Sequence, residues 1–545
     1  MYRYFFMFFL LIALPAAGQD TLIYHAIRTD SEGHILPWYD DDPGTSYDHV
    51  IQLVWSFWDT MRVDMNGLPY YMNHQVWRPD FNDPRGLGGD QLQMALSSWR
   101  LLYAYSGNER VKENMRFLAD YYLTHSLSAP DAEWPNLPYP YNTLVYSGYY
   151  DGDMVLGEGY LQPDKAGSFG RELVQLFKMM SAERYPHATE KRYLDAAVDI
   201  ANTLAAKVQT GNADASPLPF KVNATTGEIG KLKSNTGDRS DAGLSNYTTN
   251  WSGTLELWLD LIELGTGDTT AYRHAFDTVL AWMKEYPMQN NKWGPFFEDI
   301  PGWSDTQINA LTWARFIMNH PEYFPEWEAD VRRIIDWVYS MLGNEEWADY
   351  GVTVVNEQTV YQTPGNSHTA RQAADELLLA ALTGDLSRKE HAIRQLNWAT
   401  YMVDTDGKNR YPRDENWLTD GYGDYVRHYL RAMAAAPELA PNEEHLLFST
   451  SVVQHVEYPG QINKFLTPTV RGVDPEDVAV TYRTFDPEGR EIVRLPNRPS
   501  AVLLEGQPIA EREGAGSSGW FWTPLERGGY LTVTRQNGRR VTVLN

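Results

Sequence analysis

The feature that most constrains this chain is a helical hairpin that recurs along most of its length. In one copy, residues 163–206, a polar loop that contains glycine leads into a helix, a short link and a second helix. Apolar residues such as Phe169, Leu173 and Leu176 fall at helical spacing on one face of the first helix. Each hairpin must bury such a face against its neighbours, so the repeat predicts a closed ring or an open solenoid of helices.

The repeat can be followed from residue 45 to residue 437. Helices that follow a polar loop begin near residues 90, 164, 241, 305, 368 and 422, and each of the first five is followed by a partner helix. A further helix over residues 49–61 precedes them, after an extended acidic segment that ends in the turn-rich residues 40–44. The sequence therefore predicts twelve helices arranged as six hairpins.

The two sets of helices differ in polarity. Those that follow a loop are apolar nearly all round, as at residues 255–259 and 377–381, whereas partner helices such as 327–342 have one apolar and one charged face. A helix that is apolar all round is buried, and an amphipathic helix lies at the surface. The pattern predicts an inner ring of six helices inside an outer ring of six, an (α/α)6 toroid over residues 19–440. We favour the closed ring over the solenoid because the first and last hairpins lack a polar capping face.

The composition changes after Pro441. Segments 478–485, 500–504 and 530–533 alternate in polarity or carry β-branched residues, and turn signals such as Asn537-Gly538 separate them. This pattern predicts a small β-sandwich over residues 441–545, a typical size for a domain. The fold class that we expect is therefore mostly α, with a C-terminal β-sandwich.

The first 18 residues have the features of a signal peptide. Arg3 provides positive charge, residues 5–14 form an apolar stretch and residues 15–18 resemble a small-residue cleavage site. The apolar stretch is too short to span a bilayer, and the chain contains no cysteine to carry a lipid or form a disulfide. We therefore expect a secreted or periplasmic protein without a membrane anchor. Its formal net charge of −26 makes nucleic acid an unfavourable partner.

Candidate site residues cluster in the loops that open the inner helices. Because every inner helix is entered from a loop and left towards an outer helix, the six N-termini and their positive dipole ends converge at one end of the ring. An aspartate or asparagine before a helix most often caps it, but a ring of carboxylates interleaved with cationic and aromatic groups exceeds what capping requires. The candidates are Asp90, Asp164, Lys165, Asp238, Arg239, Asp241, Asn250, Glu298, Asp299, Trp303, Asp305, His368, Arg371, Asp420, Tyr422 and Asp424.

The sequence lacks the usual motifs for metals and cofactors. Its 13 histidines include no HExxH motif and no close pair. There is no phosphate-binding loop, no dinucleotide fingerprint between a predicted strand and helix, and no G-x-S-x-G elbow. We therefore predict neither a metal nor a cofactor.

The run DKAGSF at residues 164–169 resembles the loop that precedes the second inner helix of unsaturated glucuronyl hydrolases, with its Asp, Gly and Phe. Together with the exported N-terminus and the β-rich C-terminus, the toroid region 45–437 resembles the six-hairpin glycosidase superfamily. The resemblance implies a carbohydrate substrate and makes Asp164 a catalytic candidate. It also implies a second catalytic aspartate before the third inner helix, where this chain offers Asp241, with Asn250 nearer the helix.

The resemblance favours a glycoside hydrolase that acts on a uronate-containing poly- or oligosaccharide. One carboxylate of a pair donates a proton in such enzymes, and the other acts as base or nucleophile. The expected pair here is Asp164 and Asp241, with Asp90 in reserve, and arginine is suited to hold a substrate carboxylate in bidentate fashion. The residues expected to bind substrate are Lys165, Arg239, Asn250, Trp303, Arg371 and Tyr422.

Two other classes of protein stay open. A polysaccharide lyase removes the proton beside a uronate carboxylate after that carboxylate has been neutralised. Asn250 and Arg239 would neutralise it, His368 would act as the base, and Tyr247 or Tyr422 would act as the acid. A non-catalytic glycan-binding protein is the third class, and the number of carboxylates in the loops counts against it.

Overall fold

The computed structural model describes residues 21–60, 89–139, 159–181, 188–232, 243–296, 302–407, 409–411, 414–418, 422–461, 474–512 and 518–545. Within these residues lie twelve helices of twelve residues or more. They are α1 (Pro43–Thr60), α2 (Gly89–Ser106), α3 (Glu109–His125), α4 (Pro163–Met180), α5 (Ala188–Lys207), α6 (Ser252–Glu263), α7 (Thr269–Glu285), α8 (Gln307–Asn319), α9 (Trp327–Leu342), α10 (Asn366–Thr383), α11 (Lys389–Thr400) and α12 (Tyr422–Ala435).

The even-numbered helices form a closed inner ring. Each of α2, α4, α6, α8 and α10 contacts the next helix of this set, and α12 contacts α2. The outer helices α3, α5, α7, α9 and α11 each pack on the inner helix that precedes them, and α1 packs on α11 and α12. The predicted (α/α)6 toroid is therefore confirmed, and the open solenoid is excluded.

Burial separates the two rings as the polarity pattern predicted. In the inner helix α4, 16 of 18 residues are buried. The outer helix α9 buries only one stripe at helical spacing, whereas its charged face is turned to solvent. That stripe consists of Val331, Ile334, Ile335, Val338 and Leu342.

The inner helices differ from the prediction in one respect, because they are not apolar all round. Helix α10 buries His368, Arg371 and Asp375, and α12 buries Asp424 and His428. Residues at this spacing share one helix face, and they meet partners on neighbouring inner helices rather than the outer ring. The polar faces therefore line a lumen along the axis of the ring, and only the remaining faces are apolar.

Helix α1 begins six residues earlier than the sequence pattern predicted. Its first residue is Pro43, and the carboxylate of Asp42 accepts a hydrogen bond from the backbone N–H of Thr45 at 3.1 Å. Proline suits the first helical position because it lacks the N–H that would be unpaired there. The Asp-Pro-Gly run signals a turn in the sequence, but in the structure its aspartate, Asp42, is the N-cap of α1.

Two antiparallel sheets follow the toroid and pack face to face, which confirms the predicted β-sandwich. The strands are β1 (His445–Ser449), β2 (Val453–Glu457), β3 (Val478–Thr484), β4 (Gly489–Leu495), β5 (Ala501–Leu504), β6 (Gln507–Pro508), β7 (Gly519–Pro524), β8 (Gly529–Arg535) and β9 (Arg540–Leu544). The strand orders are β2-β3-β9-β5-β6 and β7-β8-β4-β1. Between the sheets, the buried carboxylate of Glu491 pairs with Arg535 at 2.8 Å and accepts a hydrogen bond from Tyr482 of the other sheet at 3.4 Å.

The sandwich lies against the C-terminal ends of inner helices. The side-chain amide of Gln454 donates to the backbone oxygen of Lys178 near the end of α4, at 2.8 Å. The hydroxyl of Tyr458 donates to the backbone oxygen of Ala104 near the end of α2, at 2.6 Å. The N-termini of the inner helices therefore point away from the sandwich, and the opening of the ring at that end is the candidate site.

Candidate active site

Asp164 lies in the first turn of α4 and is completely buried. Pro163 occupies the first helical position, and Asp164 follows it. Its Oδ2 atom accepts hydrogen bonds from the side-chain amide of Asn250 at 2.9 Å and from the ammonium of Lys165 at 3.1 Å. The carboxylate therefore joins α4 to the residues before α6, which is more than a helix cap does.

Lys165 connects the same carboxylate to the segment that precedes α8. Its ammonium donates to the backbone oxygen of Phe296 at 3.1 Å and lies 3.1 Å from the centre of the Phe296 ring. A cation over an aromatic face is stabilised by the ring quadrupole, particularly where water is excluded. This arrangement holds the buried ammonium between a carboxylate and an aromatic ring.

The second oxygen of Asp164 has no such partner. Oδ1 is buried and makes no hydrogen bond to any residue that the structure describes. Since Oδ2 already accepts two N–H groups, Oδ1 is the oxygen left to exchange a proton. The positive end of the α4 dipole lies beside it and favours negative charge there.

A second cluster forms around Arg371 and Asp424. The guanidinium of Arg371 donates to the carboxylate of Asp424 on α12 and, at 2.8 Å, to the side-chain oxygen of Gln307 on α8. The hydroxyl of Ser367 and the guanidinium of Arg427 also contact Asp424. Burial alone would raise the pKa of Asp424, but Arg371 and Arg427 hold it well below its usual value. The carboxylate is therefore an anion at physiological pH that joins α12 to α10, and Arg371 extends the cluster to α8.

His368 lies one turn before Arg371 and is 5% exposed. Neither ring nitrogen has a hydrogen-bond partner within the described part of the chain. Burial and, to a lesser degree, the charge of Arg371 lower the pKa of His368 to about 3. The imidazole is therefore neutral at physiological pH, with two uncommitted nitrogens.

One cavity connects the two clusters. It has a volume of about 80 Å³, and Asn250, Phe296 and Arg371 lie in its wall. Met94 and Ile308 pack with Phe296 as a small apolar group in the same wall. The cavity continues along the axis of the ring, so the candidate site opens onto the polar lumen.

An aromatic surface lies at the same end of the ring, in the segments that precede α6 and α8. Trp303 is 37% exposed and its ring centre lies 5.1 Å from that of Tyr247. The indole N–H donates to Asp305 at 3.2 Å, which fixes the ring, and the ammonium of Lys292 lies 5.0 Å from the ring centre. The surface formed by Trp303, Tyr247 and Lys292 therefore offers a flat apolar face next to a positive charge.

Tyr247 itself is held in place by the protein. Its hydroxyl donates to the backbone oxygen of Lys292 at 2.8 Å, and the ring is 3% exposed. Burial, and then the carboxylate of Asp305, raise the pKa of Tyr247. The phenol therefore keeps its proton at physiological pH.

The structure brings several predicted site residues together. Asp164, Lys165 and Asn250 form one hydrogen-bonded group, His368 and Arg371 share the first turns of α10, and Trp303 lies at the same end of the ring. Arg239 and Asp241 lie outside the described residues. Asp90 and Tyr422 belong to the first turns of α2 and α12, but their side chains also lie outside them.

The sequence analysis did not single out Gln307, Ser367 or Arg427. The spacing of polar residues along the inner helices would have indicated residues of this kind. Asp424, Arg427, His428 and Arg431 follow one another at i, i+3, i+4 and i+7 within α12. A polar stripe on an otherwise apolar helix marks a face that lines a buried polar space.

No group of three or more His, Cys, Asp or Glu side chains that would hold a metal ion occurs among the described residues. None of the helices within these ranges is long and apolar enough to cross a membrane.

Replacement of Asp424 by asparagine tests the buried cluster. Removing one partner of a buried ion pair typically costs about 3–5 kcal/mol, so we expect D424N to lower the free energy of unfolding by that amount at pH 7. The native-state pKa of Asp424 is depressed, so its contribution is complete above about pH 3.9, the ordinary value for aspartate, and is lost as pH falls from there through the native-state pKa. Urea unfolding at several pH values measures this. A stability difference that is absent at pH 7, or that does not shrink in acid, would contradict the assignment.

No protein-family model and no curated protein matches this sequence. Several solved structures are similar to this chain. The cellobiose 2-epimerase from Spirochaeta thermophila DSM 6192 is similar with a TM-score of 0.51 and 13% identity, over 72% of this chain and 96% of that one. A D-mannose isomerase has a TM-score of 0.47 and 11% identity, over 72% and 97% of the two chains. A family 76 glycoside hydrolase from a bovine Bacteroides thetaiotaomicron strain has a TM-score of 0.45 and 11% identity, over 73% and 78%. The similarity to the epimerase agrees with the fold described above, an (α/α)6 toroid.

Proposed function

We propose that this chain is a carbohydrate-active enzyme, a glycoside hydrolase that cleaves a uronate-containing poly- or oligosaccharide with Asp164 as one of two catalytic carboxylates. The observation that carries the proposal is the asymmetric environment of Asp164, in which two donors hold one oxygen and the other has no partner among the described residues. Its fold is shared with an enzyme named for a sugar, cellobiose, which agrees with an action on carbohydrate. The proposal includes export, with residues 1–18 as a cleaved signal peptide.

The two oxygens of Asp164 have different roles in this proposal. Oδ2 accepts N–H groups from Lys165 and Asn250, so it carries no proton. Oδ1 takes a proton from water or gives one to the glycosidic oxygen. The second carboxylate acts from the other side of the scissile bond, and Asp241 and Asp90 are the candidates for it.

The aromatic surface at the same end of the ring supports a sugar substrate. A sugar ring has an apolar face of C–H groups, which suits the exposed face of Trp303. The ammonium of Lys292 lies beside that face and offers a counter-charge to the carboxylate of a uronate. The terminal nitrogens of Arg371 contact Asp424 and Gln307. Lys292 pairs at 3.2 Å with Asp214, an exposed carboxylate that a substrate uronate would replace. We propose Lys292 and Arg239 as the cations that meet the substrate.

A polysaccharide lyase is the second candidate, and His368 is the observation that favours it. Its neutral imidazole, with two uncommitted nitrogens, is able to accept a proton. A group with a pKa of about 3 is nevertheless a weak base at neutral pH. Tyr247, the proposed acid, already donates its proton to a backbone oxygen. These two observations favour the hydrolase over the lyase.

The products distinguish the hydrolase from the lyase. We expect turnover of an acidic glycan in labelled water to place one labelled oxygen in the product, without the ultraviolet absorbance of a 4,5-unsaturated uronate. Mass spectrometry and absorbance spectroscopy measure the two outcomes on a panel of acidic oligosaccharides. An unlabelled product that absorbs in the ultraviolet would favour the lyase, and binding without turnover would favour a glycan-binding protein.

Replacement of Asp164 by asparagine tests the catalytic role. Loss of a positioned acid or base slows turnover by about 100- to 10,000-fold, so we expect a fall of that size in kcat. The matched control is Asp260→Asn, which also removes a carboxylate from a buried lysine, because Asp260 pairs with Lys178 at 2.8 Å near the other ends of α4 and α6. Thermal unfolding of both variants shows whether they fold alike. Wild-type turnover in D164N, or an equal loss in the control, would contradict the proposal.

Replacement of Trp303 by alanine tests the sugar-binding surface. Aromatic contacts contribute about 0.5–1.5 kcal/mol beyond buried area, so we expect KM to rise by about 2- to 10-fold with little change in kcat. Phe117→Ala is the control, since this ring is 39% exposed on the outer helix α3. Steady-state kinetics on the best acidic oligosaccharide gives both constants. An unchanged KM in W303A would exclude this surface from substrate binding.

A further inference from the structure

The lumen below the candidate active site contains more buried positive than negative charge. Four arginines from the neighbouring inner helices α8, α10 and α12 lie in the wall of the cavity, and Arg171 and Glu172 of α4 and Glu256 of α6 lie in the same wall. With direct ion-pair partners included, six arginines face four carboxylates in the described part of the chain. The arginines are Arg100, Arg171, Arg315, Arg371, Arg427 and Arg431, and the carboxylates are Glu172, Glu256, Asp375 and Asp424.

The excess charge is concentrated on Arg431. Arg315 donates to Asp375 at 2.6 Å, and Arg371 and Arg427 share Asp424. Arg431 has neither a hydrogen bond nor an ion pair with any described residue, although it lies in the cavity wall. Burial and the charges of Arg315 and Arg427 lower its pKa well below the usual value for arginine, although Asp375 and Asp424 act in the opposite direction. Both of these carboxylates are in direct ion pairs with other arginines, so Arg431 has no described carboxylate of its own.

Unused donor groups accompany this charge. The Nε atoms of Arg371 and Arg427 are buried and have no hydrogen-bond partner among the described residues. Both side chains line the same cavity as Arg431. A buried donor without an acceptor costs about 1–3 kcal/mol, so the site as it stands favours an acceptor that carries negative charge.

The cavity is large enough for a small ion. Its volume of about 80 Å³ exceeds the roughly 10–15 Å³ of cavity space that one water molecule needs. It is far below the roughly 300 Å³ at which pockets for organic ligands begin. A halide ion with one or two waters matches this space.

We propose that the lumen binds a small inorganic anion of the halide class, physiologically chloride, between Arg315, Arg427 and Arg431. The ion supplies the missing negative charge and accepts hydrogen bonds from guanidinium groups of α8 and α12. It thereby ties these two helices together beneath the candidate active site. The site does not depend on which reaction the enzyme catalyses.

Thermal unfolding at constant pH and ionic strength tests the proposal, with sodium chloride exchanged stepwise for sodium gluconate. A ligand that binds only the folded state raises Tm as its concentration rises, so we expect Tm of the wild type to rise with chloride. In Arg431→Met we expect that rise to shrink by about threefold or more. Arg333→Met removes an exposed arginine of the outer helix α9 and should respond as the wild type does.

A second experiment does not depend on the stability of the variant. Crystals of the wild-type protein grown in sodium bromide should show an anomalous scattering peak in the cavity beside Arg431. A chloride response in the wild type and the control, lost in Arg431→Met, together with this peak, supports the site. The absence of a chloride-specific rise in the wild type, an equal rise in all three proteins, or a cavity that holds only water would overturn it. If Arg431→Met does not fold, the bromide peak decides alone.

Discussion

The structure depends on how a ring of six helices fills the space along its own axis. Side chains on opposite sides of such a ring are too far apart to form a close-packed apolar core. Long charged side chains solve this problem, because their aliphatic stems pack against the helices while their charged ends pair with groups on neighbouring inner helices. Asp424 is the centre of this arrangement, since Arg371 and Arg427 both contact it and Arg427 reaches Ser97 of α2 at 2.7 Å. The same side chains hold the ring closed and form the polar floor of the candidate site.

At the open end of the ring, the candidate site also pairs a buried charge with donors from neighbouring segments. A buried carboxylate is stable only where donors and positive charge surround it. Asp164 obtains these from its sequence neighbour Lys165, from the amide of Asn250 and from the N-terminus of α4. Because Lys165 and Asn250 both donate to Oδ2, Oδ1 has no partner among the described residues. In the function that we propose, one oxygen of Asp164 anchors the side chain and the other exchanges the proton.

The sequence predicted the architecture well because the architecture follows from periodicity. Apolar spacing in helices such as α9 and the repeated loop-to-helix order were enough to predict twelve helices in two rings. Alternating polarity and turn signals after Pro441 predicted the sandwich. Asp164 and Lys165 could also be predicted as site residues, since they adjoin one another in a recognisable loop. Gln307 and Phe296 were not, because their roles arise from contacts between residues 64 to 131 positions apart in the chain. The start of α1 at Pro43 was missed because Asp-Pro-Gly signals a turn and a helix cap equally well.

Ring closure also determines when the protein can fold. The contact between Arg427 and Ser97 joins residues 330 positions apart, so the seam between α12 and α2 forms only after nearly the whole toroid has been synthesised. Until then the apolar flanks of α2 and α10 have no neighbour, and exposed surface of this kind favours aggregation. Contacts of such long range also slow folding, since the chain loses conformational entropy before the contact contributes any stabilising free energy. A nascent chain that stops before α12 therefore exposes apolar surface on α2 and α10, and the last inner helix covers it.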